Sequence, residues 1–257
     1  MKSTTRFAKN LIVGLAFGAV SFGAQADVYD DGLMAYAVGN YAKAGELFMG
    51  AAETGNAGAE HMLMRMFSEG VIFAPNMKKE TMKWTQKAAE RGFMQAQYAM
   101  AEMLRADKNM AEALSWYRKA ADQGHPDAYY QLGEMLEDAS GTESHHMYQI
   151  AASEYDVFAQ KGDAQYQYML GGMYQQAKGV GKDMKLALKW LEKSALQGHA
   201  MAQLSLGRLY ATGDDVKRDA QQAAYWLNLA AAQGVTEAEH LLAQIKDDGE
   251  VKIALAM

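Results

Sequence analysis

The sequence predicts an all-α protein, a right-handed α-solenoid of about six helix–turn–helix repeats. Three observations carry that expectation. A small-residue segment ending in glycine recurs along the chain at near-constant spacing. Alanine, leucine, methionine, glutamine and glutamate dominate, with only two prolines, Pro75 and Pro126, and that composition favours helix. No alternating run of β-branched residues marks a strand.

The repeat glycines are Gly55, Gly92, Gly124, Gly162, Gly198 and Gly234, separated by 37, 32, 38, 36 and 36 residues. Other positions keep step with them. All four tryptophans, Trp84, Trp116, Trp190 and Trp226, stand eight residues before one of these glycines. Ala44, Ala113, Ala151, Ala187 and Ala223 stand eleven before, and Asn40, Asn109, Asp183 and Asp219 fifteen before. Ala59, Ala96, Ala128, Ala202 and Ala238 follow by four, and Leu63, Met100, Leu132, Leu170, Leu206 and Leu242 by eight.

Each unit therefore reads as two helices. The Asn or Asp is an N-cap whose side chain accepts from first-turn N–H groups. The alanine and tryptophan share one helix face, and the glycine ends the helix by taking a left-handed conformation. The helix after the glycine presents its alanine and leucine to the core. A small residue follows that leucine at Ala101, Gly133, Gly171, Gly207 and Ala243, which predicts a close helix approach. One pair cannot bury both apolar faces, so neighbours must stack.

The ends differ from the array. Lys2, Arg6 and Lys9 form a basic head, Leu11–Phe22 is apolar, and Ala24-Gln25-Ala26 supplies small residues. The apolar stretch is roughly 12 residues, against about 20 for a bilayer span. This is the layout of a signal peptide over 1–26, cleaved after Ala26. Residues 27–257 form the repeat domain, placed in the periplasm or secreted. The chain has no cysteine, which excludes a lipid-anchored form. Its net charge is −6, and removing the three leader cations gives −6 − 3 = −9, so the basic footprint of a nucleic-acid binder is missing.

Leu206-Gly207-Arg208-Leu209-Tyr210, Gly213, Ala224-Tyr225-Trp226 and Ala230-Ala231-Ala232-Gln233-Gly234 together resemble a Sel-1-like repeat. A second strong copy holds Leu170-Gly171-Gly172-Met173-Tyr174, Gly179-Val180, Asp183, Ala187, Trp190 and Gln197-Gly198. The unit ending at Gly124 is closer to tetratricopeptide length. The copy over Met147–Gly162 departs most, with Glu154 in the tryptophan position and Tyr166 in the alanine position. Residues 138–162 hold this irregular copy, and Asp138–His146 is expected to form a longer loop. The resemblance implies a non-catalytic scaffold or adaptor of the bacterial envelope that binds a protein or peptide.

In tetratricopeptide-like arrays the first helix of each pair lines the concave side. That assigns partner binding to His61, Arg65, Tyr98, Glu102, Arg105, Tyr130, Glu134, Glu137, Tyr168 and Arg208. Tyrosine offers area with a hydrogen-bonding tip, and arginine offers directed donors. The competing expectation is that these tyrosines pack between neighbouring repeats.

No metal or cofactor is expected. His145 and His146 are adjacent, and His61 with His240, like His125 with His199, repeats one array position. Gly179-Val180-Gly181-Lys182 lacks the Ser or Thr of a phosphate loop. The alternative function is an envelope hydrolase acting on cell-wall material or β-lactams, for which the sequence offers no nucleophile–base pair. Self-association by end-to-end stacking is a further possibility.

Overall fold

A computed structural model describes residues 24–247. Among the described residues are thirteen helices and no strand. They are α1 (Ala24–Ala37), α2 (Tyr41–Glu53), α3 (Ala57–Ser68), α4 (Met77–Glu90), α5 (Met94–Ala106), α6 (Met110–Asp122), α7 (Pro126–Leu136), α8 (Gly141–Gln160), α9 (Ala164–Gln176), α10 (Met184–Leu196), α11 (Ala200–Thr212), α12 (Ala220–Ala232) and α13 (Thr236–Asp247). They group into two compact units, divided after Ala128 within α7. The expected leader lies outside the described residues except Ala24–Ala26, which open α1. The tail after Gly249 also lies outside them.

The register works as the spacing predicts. All six repeat glycines have φ between +85° and +98°, a region costly for any residue with a Cβ. Asn40, Asp183 and Asp219 accept first-turn backbone N–H groups. Asn109 does not: its carbonyl receives the Ala113 N–H, but its side chain makes no cap bond, so this start is held by backbone alone. The helices that follow the glycines carry caps too, at Asn56, Asp163 and His199.

The core lies along these positions. Ala59, Ala96, Ala128, Ala202 and Ala238, and likewise Ala44, Ala113, Ala151, Ala187 and Ala223, are fully buried. Trp84, Trp190 and Trp226 are buried, while Trp116 is only half-buried. The most constant core position of the second helix is one residue later. There stand Phe48, Thr85, Tyr117, Tyr155, Leu191 and Leu227, none more than 1% exposed. Tyr155 therefore fills the place that Glu154 left open in the irregular repeat.

The small residues do mark close approach. A Cβ on Gly207 would fall 2.5 Å from Leu227 Cγ, and one on Gly133 2.6 Å from Tyr148 Cδ1. Ala243 is exposed, since no described helix follows α13 to pack on it. The expected loop over Asp138–His146 is a correction. Only 137–140 form a turn, and Gly141–His146 belong to α8. The Ser144 hydroxyl donates to the Gly133 carbonyl at 2.8 Å, and Tyr148 fills the notch that Gly133 leaves, so the first turns of α8 are pinned to α7.

A side-chain ladder ties successive repeats. Gln97, Gln167 and Gln203 are buried, and each donates to a carbonyl eight residues earlier. Gln123, Gln197 and Gln233, each preceding a repeat glycine, donate to the amide oxygens of Gln97, Gln167 and Gln203 at 2.6, 2.7 and 2.8 Å. At the α3–α4 step the same two positions carry charge. Glu60 is 3% exposed and takes Arg91 Nε at 3.3 Å and Lys87 Nζ at 3.8 Å.

Candidate functional site

The first helices bring their tyrosines against the next repeat. The Tyr98 ring stacks on His125, with centroids 4.2 Å apart, and leans on Tyr117 at 5.8 Å. His61 stacks on Phe93 at 4.7 Å, and Tyr168 on His199 at 4.9 Å. Tyr130 packs on Tyr148 and Tyr155. These rings are half-buried in inter-repeat packing, one edge left open, rather than standing free on a face. Burial raises the pKa of Tyr98 and Tyr130 and lowers those of His61, His125 and His199.

The charged positions are drawn into two clusters. In the first unit, Tyr117 donates a short hydrogen bond to Glu102, while Arg105 reaches Glu102 at 2.8 Å and the Tyr117 oxygen at 3.2 Å. Burial first, then the Glu102 carboxylate, pushes the Tyr117 phenol up. In the second unit, the Tyr148 hydroxyl donates to Glu134 at 2.9 Å and Glu137 at 2.6 Å. Lys178 pairs with both carboxylates, at 3.3 Å for Glu137. The Tyr148 hydrogen bond and then Lys178 hold Glu137 below the usual carboxylate range. Arg65 pairs with Glu69 at 3.0 Å, and Arg208 with Glu237 at 2.5 Å.

One groove opens onto Tyr98 and Glu102 of the assigned residues. It encloses about 670 Å³ between α3, α4 and α5, lined by Phe67, Met77, Thr81, Thr85, Tyr98, Ala99, Glu102 and Met103 among others. Lys78 and Asp107, paired at 2.6 Å, stand on its rim. The walls are mainly apolar, with threonine hydroxyls, a phenol and a carboxylate for orientation, the usual make-up of a recognition groove. Of the ten assigned residues Tyr98 and Glu102 line it, and Arg105 steadies Glu102. The other seven lie elsewhere: His61 and Arg65 at neighbouring steps of the first unit, the rest in the second.

The sequence missed Tyr117, Tyr148 and Lys178. For the tyrosines a signal existed, since Tyr117 occupies the core position beside Trp116; for Lys178 there was none. It also assigned the surface to first helices alone, whereas α4 supplies one wall. The Gly179–Lys182 segment is a helix connection. A Cβ on Gly179 would fall 2.3 Å from the Tyr148 carbonyl carbon, and Asp183 caps α10. Among the described residues no group of three or more His, Asp or Glu side chains is placed to hold a metal. No described helix is long and apolar enough to cross a membrane.

The Sel1 repeat model matches residues 64–93, 95–125, 126–156, 164–199 and 200–235. A Sel1 repeat protein from Oxalobacter formigenes is similar at 30% identity and a TM-score of 0.63, covering 87% of this chain and 91% of that one. A protective antigen of uropathogenic Escherichia coli with an SLR fold is similar at 29% identity and a TM-score of 0.68, covering 87% of this chain. The chain spans about half (49%) of that antigen's length. No curated protein matches the sequence.

Proposed function

Since this chain belongs to the Sel1 repeat family, whose members generally serve as protein-interaction scaffolds, we propose that it is a non-catalytic scaffold of the bacterial envelope. It holds an extended segment of a partner protein in the α3–α5 groove. Export rests on the basic head, apolar stretch and Ala24-Gln25-Ala26 of the leader.

The groove is the observation that carries the reading. Its volume of about 670 Å³ takes several side chains of an extended peptide. Tyr98 and Glu102 are fixed there before any partner arrives, one by ring stacking and the other by Tyr117 and Arg105. Preorganised side chains lose little entropy on binding. The bland course of the other charged positions also fits a scaffold, because exposed ion pairs such as Arg208–Glu237 are worth only about 0–1 kcal/mol and can exchange partners.

The test avoids the stacked rings, whose loss would weaken repeat packing as well as binding. Residues 27–257, immobilised, should enrich a discrete partner from envelope extract of the source cells. Ala99→Trp with Thr81→Trp, which fills the groove, should abolish the enrichment while circular dichroism and melting stay close to the parent. Equal capture by parent and filled groove would overturn the site. Turnover of a cell-wall or β-lactam substrate, lost with one groove residue, would overturn the non-catalytic reading.

A further inference from the structure

In the second unit α8, α10 and α12 lie side by side. Trp190 of α10 shares a core with Tyr155 and Ala159 of α8, and Trp226 of α12 with Leu191 and Ala195 of α10. The open side of this layer carries a lysine stripe. Lys185, Lys189 and Lys193 of α10 stand thirteen, nine and five residues before Gly198, a spacing of four that puts them on one helix face. All three are exposed, and none has an ion-pair partner among the described residues. Lys193 Nζ lies 4.5 Å and Lys189 Nζ 5.8 Å from the Trp190 ring centre, a contact that leaves their charge in place. In α4 the same register holds Lys79, Lys83 and Lys87, but there Glu80 and Glu60 pair with two of them.

Two further observations say what this charge meets. The large apolar side chains exposed among the described residues of the second unit are Val157, Leu196, Met201 and Tyr225, and all but Met201 belong to this layer. Tyr225 of α12 stands at the register position of Lys189, Val157 of α8 at that of Lys193, and Leu196, 73% exposed, one turn beyond Lys193. The acids of the layer, in contrast, are directed elsewhere. Burial and then the nearby Glu192 carboxylate raise the Tyr210 phenol, so Glu192 turns toward α11. Asp156 takes the Gln160 amide, and Asp183 and Asp219 cap helices. Glu154 stands in the tryptophan position, on the side that faces the preceding helix, and Glu143 lies six residues before the level of Lys185.

We infer that this layer rests on an anionic bilayer surface: the three lysines meet phosphate headgroups, while Leu196, Val157 and Tyr225 enter the boundary between headgroups and acyl chains. Clustered lysines are drawn to anionic lipid. A basic face that also bears aliphatic and aromatic side chains suits an element lying in the interface rather than one spanning the bilayer. Tyrosine favours that depth, since its ring is apolar and its hydroxyl stays wet. A soluble polyanion would use the lysines and leave the three apolar side chains in water. The contact uses none of the groove residues, so lipid binding and partner capture are separable.

Vesicle flotation tests this. Residues 27–257, mixed with phosphatidylcholine vesicles with and without phosphatidylglycerol, should float with the anionic vesicles alone, and less as salt rises. Lys185→Gln/Lys189→Gln/Lys193→Gln should weaken binding about tenfold, while Lys185→Arg/Lys189→Arg/Lys193→Arg should preserve it. Leu196→Gln/Tyr225→Gln, which leaves every charge in place, should also weaken it about tenfold. These side chains are exposed, so melting of all three variants should match the parent. Ala99→Trp with Thr81→Trp should float as the parent does, so failure here is distinct from failure of the groove. Equal flotation with neutral vesicles, indifference to the glutamine variants, or loss of binding with arginine would overturn the proposal. Tighter binding to soluble polyglutamate than to the vesicles would also overturn it, by pointing to an acidic protein instead.

Discussion

Ala177 and Lys108 hold φ values of +59° and +63°, where most of the turns use glycine. Lys108 precedes Asn109 just as Gly39 precedes Asn40, and Ala177 ends α9 as Gly213 ends α11. A left-handed non-glycine residue costs about 1–2 kcal/mol, part of which glycine returns through greater freedom in the unfolded chain. Ala177→Gly should therefore raise stability by up to about 1 kcal/mol, read as a higher urea midpoint with unchanged slope. A lower midpoint would show that the Ala177 methyl makes contacts worth more than the strain. At Gly179 and Gly207 the opposite holds, because a Cβ would collide with Tyr148 backbone or with Leu227. Single residues thus fix where the chain turns and how near the helices come.

At the scale of the element, His61, His125 and His199 share one arrangement, an aromatic stack that closes the step between repeats. Burial holds all three below the ordinary value of 6.5. Arg65 lowers His61 further, while Asp127 and Asp163 partly offset burial at His125 and His199. The unfolded chain therefore takes up protons first as pH falls. Stability from these sites is complete above about pH 6.5 and declines below it. Urea midpoints at pH 7.5 and 5.5 should differ, lower at 5.5. His125→Phe, which keeps a ring as Phe93 does for His61, should shrink the difference. An unchanged difference would remove His125 from the acid response.

Element pairing was legible because glycine, alanine and leucine positions repeat with the helix period. The core tyrosines were not, since Tyr117 and Tyr155 stand one residue from the tryptophan column and only packing reveals which ring turns inward. The α8 start was misjudged for a similar reason: its anchor, Ser144 on Gly133, joins two helices and leaves no local mark.

For the whole molecule, the sequence held the repeat array and the helices that build a binding surface, yet it spread the site over ten residues on or just after five first helices. The groove gathers two of these and adds Met77, Thr81 and Thr85 from a second helix. No spacing rule announces a groove, because its walls come from three helices whose separation depends on side-chain volume. The central claim is that this groove is where a partner sits. Photo-crosslinking from a benzophenone amino acid at position 99 tests it in cells, with position 225, an exposed site in the second unit, as control. One discrete protein adduct from 99 and none from 225 is the predicted result. No adduct from 99, or the same adducts from both, would contradict it.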